Sequence, residues 1–91
     1  MPSAVRQNTT LSRFELDADG TTAIANYRLT DGVMTFTHTE VAARLRGRGI
    51  ASRLVRGALE SARAQGLKVV PRCGFVGAFL ARHPEFSDLL A

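Results

Sequence analysis

The stretch Arg46-Gly47-Arg48-Gly49-Ile50-Ala51 lies where the sequence changes from a strand pattern to a helix pattern. Residues 33–41 alternate in the manner of a strand, and residues 51–65 carry apolar side chains at helical spacing. A turn with glycine at alternate positions can direct several backbone N–H groups toward one point. The start of a helix also favours negative charge. The stretch therefore predicts a binding site for a phosphate group.

The helix that follows has one continuous apolar face. Its members recur at positions i, i+3, i+4, i+7, i+8 and i+11, which are Ala51, Leu54, Val55, Ala58, Leu59 and Ala62. Gly66 comes directly after this pattern, as a C-terminal cap should. Leu67 to Val70 then reads as a short strand that Pro71 stops. Strand, helix and strand together predict a β-α-β unit with parallel strands and a right-handed crossover.

The first forty residues predict an antiparallel meander of three strands. The strand patterns run over Ser12–Leu16, Thr22–Leu29 and Val33–Val41, with tight turns predicted at Asp17–Gly20 and Thr30–Gly32. We therefore expect an α/β (α+β) fold in which the meander precedes the β-α-β unit.

The third strand carries the polar side chains of interest. If the strand is regular, Met34, Phe36, His38 and Glu40 share one face. A β-bulge would turn the later residues to the other face.

The C-terminal part predicts one short helix and an apolar tail. Cys73 to Arg82 has weak helical periodicity with two glycines, and Pro84 ends it. His83 is expected to be a helix-end residue. Phe86, Leu89 and Leu90 in the tail would complete the core or form a contact in a homodimer.

Composition limits the class of protein. Ninety-one residues allow a single domain, residues 1–91, with one modest core. No apolar run approaches the roughly 18 residues of a membrane span, and Met1 to Thr10 has no apolar block typical of a signal sequence. We expect a cytoplasmic protein with no membrane partner. Cys73 is the single cysteine, so we expect no disulfide and no metal cluster.

The positive charge is concentrated in one part of the chain. Nine of the twelve basic residues lie between Arg44 and Arg82, with Glu60 as the only acidic residue in that span. Such a field attracts a polyanion, which could be nucleic acid, an anionic surface or a phosphorylated cofactor. A solvated helix face would explain part of the same charge. The stretch lacks the third glycine and the acidic residue of the dinucleotide fingerprint, and it lacks the Gly-Lys-Ser/Thr ending of a nucleoside-triphosphate loop.

Arg46 to Ala51 resembles the Gln/Arg-x-x-Gly-x-Gly/Ala signature of the GNAT superfamily of acetyl-CoA-dependent N-acetyltransferases. Val41 stands where that superfamily usually has the apolar residue that ends its fourth strand. The sequence is also similar to the minimal single-domain branch of the superfamily in three further places, which are His38 to Val41, Lys68 to Val76 with Cys73, and Arg82 to Phe86. The resemblance covers roughly residues 33–90.

The resemblance implies a binding site for acetyl-CoA (CoA). In the superfamily, the loop N–H groups bind the CoA pyrophosphate, and the splayed end of the preceding strand binds the pantetheine arm. By position, the implied cofactor-binding residues are Val41, Arg44, Arg46, Gly47, Arg48, Gly49, Ile50, Ala51 and Ser52. No metal is implied.

The catalytic candidates are Cys73, Glu40 and His38. A lysine-like amine acceptor, whose pKa in water is about 10.4, must lose a proton before it attacks, and Glu40 or His38 is expected to relay it. Cys73, just past the parallel strand, is a candidate acid, orienting group or transient acyl acceptor. In the superfamily a tyrosine often protonates the departing CoA thiolate. By the resemblance its position is near Leu80, and leucine has no proton to donate. Larger relatives build the groove for the amine acceptor from an N-terminal helix pair and from C-terminal strands. We expect this sequence to form neither, so the acceptor would bind an open surface or a surface completed by a partner.

These features give three functional hypotheses. The first is an N-acetyltransferase that passes acetyl from acetyl-CoA to an unknown primary amine by direct attack in a ternary complex. The second is a non-catalytic acyl-CoA-binding or regulatory module. The third is a small basic nucleic-acid-binding domain, which the absence of aromatic residues between Arg44 and Arg63 makes the weakest.

Overall fold

The computed structural model describes residues 4–91, so the first three residues of the N-terminal stretch lie outside it. The described residues form five strands, two α-helices and two 3-10 helices. In chain order they are β1 (Arg6–Asn8), β2 (Arg13–Ala18), β3 (Thr21–Thr30), β4 (Val33–Glu40), a 3-10 helix (Ala43–Leu45), α1 (Ile50–Ala64), β5 (Lys68–Pro71), α2 (Gly74–Arg82) and a second 3-10 helix (Pro84–Leu89).

The strands form one sheet in the order β1-β2-β3-β4-β5. The first four strands are antiparallel, and β5 is parallel to β4. The predicted α/β fold, with its β-α-β unit and short C-terminal helix, is confirmed. The meander, however, has a fourth strand, β1, which the sequence pattern missed. Polar contacts hold β1 in place, since Arg6 pairs with Glu15 and Asp17 of β2 at 2.9 Å.

Both predicted turns of the meander are present. Asp19-Gly20 joins β2 to β3, and Asp31-Gly32 joins β3 to β4. Their φ angles are 46° and 78° in the first turn and 51° and 77° in the second. Two-residue hairpin loops with positive φ at both positions favour this Asp-Gly pair.

The helices pack together over the sheet. α1 lies across β2 to β5, and α2 packs against β4, β5 and α1. The rings of Phe14, Tyr27 and Phe36 meet under the helices, with centroids 5.3 to 6.4 Å apart. The apolar face predicted for α1 is buried in this core, except for the partly exposed Ala51 at its start. No helix within residues 4–91 combines the length and the apolar character needed to cross a membrane.

The C-terminal tail completes the core of the same chain. Phe86 is 2% exposed, and Leu89 is also buried. The guanidinium groups of Arg56 and Arg63 lie over the Phe86 ring, 5.4 and 5.1 Å from its centroid. Leu90 is 43% exposed, so of the three apolar tail residues it alone remains largely outside the core.

We expect Phe86→Ala to lower the free energy of unfolding by about 3–5 kcal/mol, because it removes a buried ring. Leu90→Ala, the matched control four residues away, should cost less than about 1 kcal/mol because Leu90 is 43% exposed and not buried in the core. Urea denaturation of both variants measures the difference. Equal losses of unfolding free energy in the two variants would contradict a tail in which Phe86 is buried and Leu90 is not.

Candidate functional site

A β-bulge at Thr37 sets which side chains of β4 reach the helix side of the sheet. Tyr27 of β3 pairs with Phe36, but Asn26 pairs with His38, so Thr37 is the extra residue. Beyond the bulge, Thr39 lies opposite the buried Ala25. Because residues directly opposite in an antiparallel pair share a face, Thr39 points toward the helices.

The bulge places His38 and Glu40 on the opposite face. Their side chains are 59% and 67% exposed, and Nε2 of His38 lies 3.9 Å from Oε2 of Glu40. The regular-strand alternative, in which these residues share a face with Met34 and Phe36, is therefore wrong, and the bulge alternative is confirmed. The physical cause is the single inserted residue, because it moves every later side chain of β4 to the other face of the sheet.

β4 and β5 separate directly after the bulge begins. Their parallel register ends at Phe36 and Pro71. The Phe36 carbonyl then accepts hydrogen bonds from the backbone N–H groups of both Arg72 and Cys73, each at 2.9 Å. Within residues 4–91, the last part of β4 consequently has no strand partner on its β5 side, and a gap opens between the two strands.

The loop Arg46–Gly49 closes one end of this gap. Buried Leu45 and Ile50 anchor it on either side. Gly47 and Gly49 have φ angles of 85° and 77°, in the left-handed region that favours glycine. Gly49 is the N-cap of α1, and no side chain caps the helix. The backbone N–H groups of the first helical turn therefore lack acceptors within the helix.

A cavity of about 370 Å³ lies between the loop and the end of β4. Its walls include most of the residues predicted to bind the cofactor: Val41, Arg46, Gly47, Gly49, Ile50, Ala51 and Ser52. A Cβ atom at position 47 or 49 would meet no atom within 4 Å. Those two glycines therefore present bare backbone to the open cavity.

Two of the predicted cofactor residues do not line the cavity. Arg44 and Arg48 instead contact Asp19 in the β2–β3 turn, at 2.6 and 2.9 Å. Local sequence spacing does not indicate this contact, because Asp19 is 25 residues from the nearer arginine. Arg46 lines the cavity and forms no ion pair with another residue of the described chain.

The sequence pattern of the GCN5-related N-acetyltransferase family matches residues 13–89, which is most of the chain. The chain belongs to this family. Its structure is also similar to the solution structure of a GCN5-like protein from Staphylococcus aureus, named only provisionally as an N-acetyltransferase. The two chains have a TM-score of 0.73 and 25% sequence identity, over 100% of this chain and 91% of the other.

Three residues that line the cavity in this family member were not predicted from the sequence: Thr39, Leu45 and Phe75. In a regular strand Thr39 would lie on the face opposite Met34 and Phe36, and the sequence does not show where the bulge falls. Phe75, at the start of α2, is a large apolar side chain that is 41% exposed. Its i, i+4 spacing from the buried Phe79 would place it on the apolar face of α2, so the sequence carries no signal that it lines the cavity.

Cys73 lies beside the cavity, in contact with Thr39. Its Sγ is 3.1 Å from Thr39 Oγ1. Burial raises the pKa of the thiol, but the Thr39 hydroxyl and the backbone N–H groups of Val76 and Phe75 favour the thiolate more strongly, so the pKa of Cys73 is lowered. The stabilisation from the thiolate is fully present above the pKa of the unfolded chain and is lost as pH falls through the folded-state pKa.

The remaining titratable candidate, His83, has a structural role. Its Nδ1 lies 2.8 Å from the Phe79 carbonyl oxygen, and its ring stacks on that of Phe79 with centroids 3.9 Å apart. It is therefore the helix-end residue that the sequence predicted. Leu80, near which the sequence resemblance would place the superfamily tyrosine, is buried in the core. Within residues 4–91, no three His, Cys, Asp or Glu side chains are grouped to hold a metal ion.

We expect Thr39→Val to raise the pKa of the Cys73 thiol, because it removes a hydroxyl that favours the thiolate and leaves the burial unchanged. The measurement is the rate of iodoacetamide alkylation as a function of pH, whose midpoint should move upward. Thr39→Ser should restore the original midpoint. Thr35→Val, on the same strand but paired with Arg28 away from the helices, should leave it unchanged. A midpoint that stays fixed in Thr39→Val would contradict this role.

Proposed function

We propose that this family member binds acetyl-CoA in the cavity beside the Arg46–Gly49 loop and transfers the acetyl group to a primary amine. One observation carries the proposal. A single cavity lies between a glycine loop at an uncapped helix start and the end of a strand, and at that strand end Thr39 contacts Cys73. Family membership supports the reaction class.

The two ends of the cavity suit different parts of CoA. Free N–H groups at the start of α1, together with Arg46, would bind the pyrophosphate. The free edge of β4 near Val41 would hydrogen-bond the pantetheine arm, while Leu45 and Phe75 supply apolar contacts. About 370 Å³ is near the lower limit for ligand pockets. The cavity would therefore enclose only part of CoA and leave the nucleotide end at the surface.

Cys73 is the proposed proton-transfer residue. Acetyl-CoA, when bound, supplies the acetyl thioester. In direct attack the amine nitrogen forms the amide bond, the thioester C–S bond breaks, and the proton lost by the amine is balanced by one gained at the CoA sulfur. Cys73, in contact with Thr39 beside the cavity, can donate that proton in its thiol form, and the resulting thiolate then takes up the proton that the amine nitrogen loses, which restores the thiol. His38 and Glu40 have no part in this proposal, because they lie on the other face.

A second function, an acyl-CoA-binding module without transfer, is favoured by one observation. The position of the superfamily tyrosine is occupied by Leu80, which is buried and has no proton to give. The two functions predict the same binding and differ in catalysis. Binding of acetyl-CoA without acetyl transfer to any member of a broad amine panel would select the binding module.

The binding proposal predicts that Gly49→Ala weakens acetyl-CoA binding at least tenfold, because the added methyl group enters the cavity and strains a left-handed backbone. Gly66→Ala is the matched control, since Gly66 has a φ of 71° at the other end of α1. Each should cost roughly 1–2 kcal/mol of stability from the backbone strain. Isothermal titration should show weakened binding only for Gly49→Ala. No measurable binding by the unaltered protein at millimolar acetyl-CoA would reject the proposal.

The catalytic proposal predicts that Cys73→Ala lowers acetyl transfer about a hundredfold or more, the scale of general acid–base catalysis, while acetyl-CoA binding changes little. Turnover on an amine found with the unaltered protein measures the first quantity, and isothermal titration measures the second. Full turnover by Cys73→Ala would remove Cys73 from the mechanism.

A further inference from the structure

The β2–β3 turn contacts two arginines of the predicted phosphate site. Nη2 of Arg44 donates to the backbone carbonyl of Asp19 at 2.6 Å. Nη1 of Arg48 donates to Oδ2 of Asp19 at 2.9 Å. The Asp19 side chain is held at this point by a hairpin turn in which Asp19 has a φ of 46° and Gly20 a φ of 78°. A single residue therefore holds both arginines beside the cavity.

The two contacts leave the arginines in different electrostatic states. A carbonyl oxygen is neutral, so Arg44 keeps its full positive charge. The carboxylate of Asp19 is negative, so it offsets the charge of Arg48. The Arg48 contact uses one nitrogen of a guanidinium that carries five N–H donors and matches the geometry of phosphate oxygens. Arg48 is thus a side chain that is suited to a phosphate group and is already paired with an internal anion.

The Arg48–Asp19 pair is suited to exchange. The side chains are 61% and 59% exposed, and exposed ion pairs contribute little to stability because water and salt screen them. A terminal phosphate group carries more negative charge and more acceptor oxygens than a carboxylate. Replacing Asp19 by a ligand phosphate therefore costs little and gains a stronger contact.

We infer that Asp19 stands in for a ligand phosphate at Arg48, and that a phosphate group of CoA takes over Arg48 when the cofactor binds. Arg44 keeps its place through the Asp19 carbonyl and adds a fixed positive charge beside the exchange. This inference rests on the proposed function for the identity of the ligand, and it assigns the nucleotide end of CoA to the β2–β3 turn. Asp19 then limits the affinity for CoA.

The test is a double-mutant cycle on CoA affinity, measured by isothermal titration at low salt. Asp19→Asn removes the carboxylate, keeps the carbonyl that holds Arg44, and tolerates the positive φ. We expect it to tighten CoA binding about two- to fivefold, the scale of an exposed ion pair. In an Arg48→Gln background the same change should have little effect. The gain should also shrink at about 1 M salt, where the Debye length is about 3 Å.

Asp31→Asn is the matched control, because Asp31 occupies the same kind of Asp-Gly turn at the other end of β3, with a φ of 51°. It changes the net charge equally and should leave CoA affinity unchanged. Unchanged or weaker binding by Asp19→Asn would overturn the inference. Equal tightening with and without Arg48 would also overturn it, by showing a general charge effect instead of an exchange.

The failure of this inference can be distinguished from failure of the proposed function. If the unaltered protein binds CoA and Asp19→Asn has no effect, only the inference fails. If the unaltered protein does not bind CoA, the proposed function fails, and the cycle is repeated with inorganic pyrophosphate as the ligand. If Asp19→Asn then tightens pyrophosphate binding only when Arg48 is present, Asp19 is still supported as the internal competitor of a phosphate ligand. If Asp19→Asn does not tighten pyrophosphate binding in this way, the inference is overturned as well.

Discussion

The double hydrogen bond to the Phe36 carbonyl is the constraint on which the rest of the site depends. Because this one oxygen accepts the N–H groups of both Arg72 and Cys73, β5 cannot continue alongside β4. The bulge at Thr37 begins at the same point and turns Thr39 toward the helices. The gap, the place of Thr39 in its lining and the position of Cys73 all follow from this local departure from regular strand pairing.

The concentration of arginine has a similarly local explanation. Arg56 and Arg63 on α1 lie over the Phe86 ring and pair with Glu85 and Asp88 of the tail. They therefore hold the tail to the helix, which leaves less of the basic charge free to bind a polyanion. Arg46 lines the cavity without an acidic partner in residues 4–91. A discrete phosphate site explains the basic span better than a nucleic-acid surface does.

Sequence patterns predicted the parts of the fold that depend on long periodicity or on turn chemistry. The face of α1 and both Asp-Gly turns are of this kind, and the glycine loop was found because its left-handed backbone needs glycine. Strand β1 was missed because it is three residues long and held by charge pairs. The bulge depends on how two strands pair, and the contact of Arg48 with Asp19 joins residues 29 apart. Neither leaves a signal in local spacing.

The central claim is that acetyl-CoA binds at the junction of the loop and the diverging end of β4. A titration of the ¹⁵N-labelled protein with acetyl-CoA, followed by backbone amide chemical shifts, tests it most directly. We predict the largest shifts at residues 46–52 and at Thr39 and Val41, with smaller ones near Asp19. Saturable shifts centred on the opposite face of the sheet, around His38 and Glu40, with residues 46–52 unaffected, would contradict it.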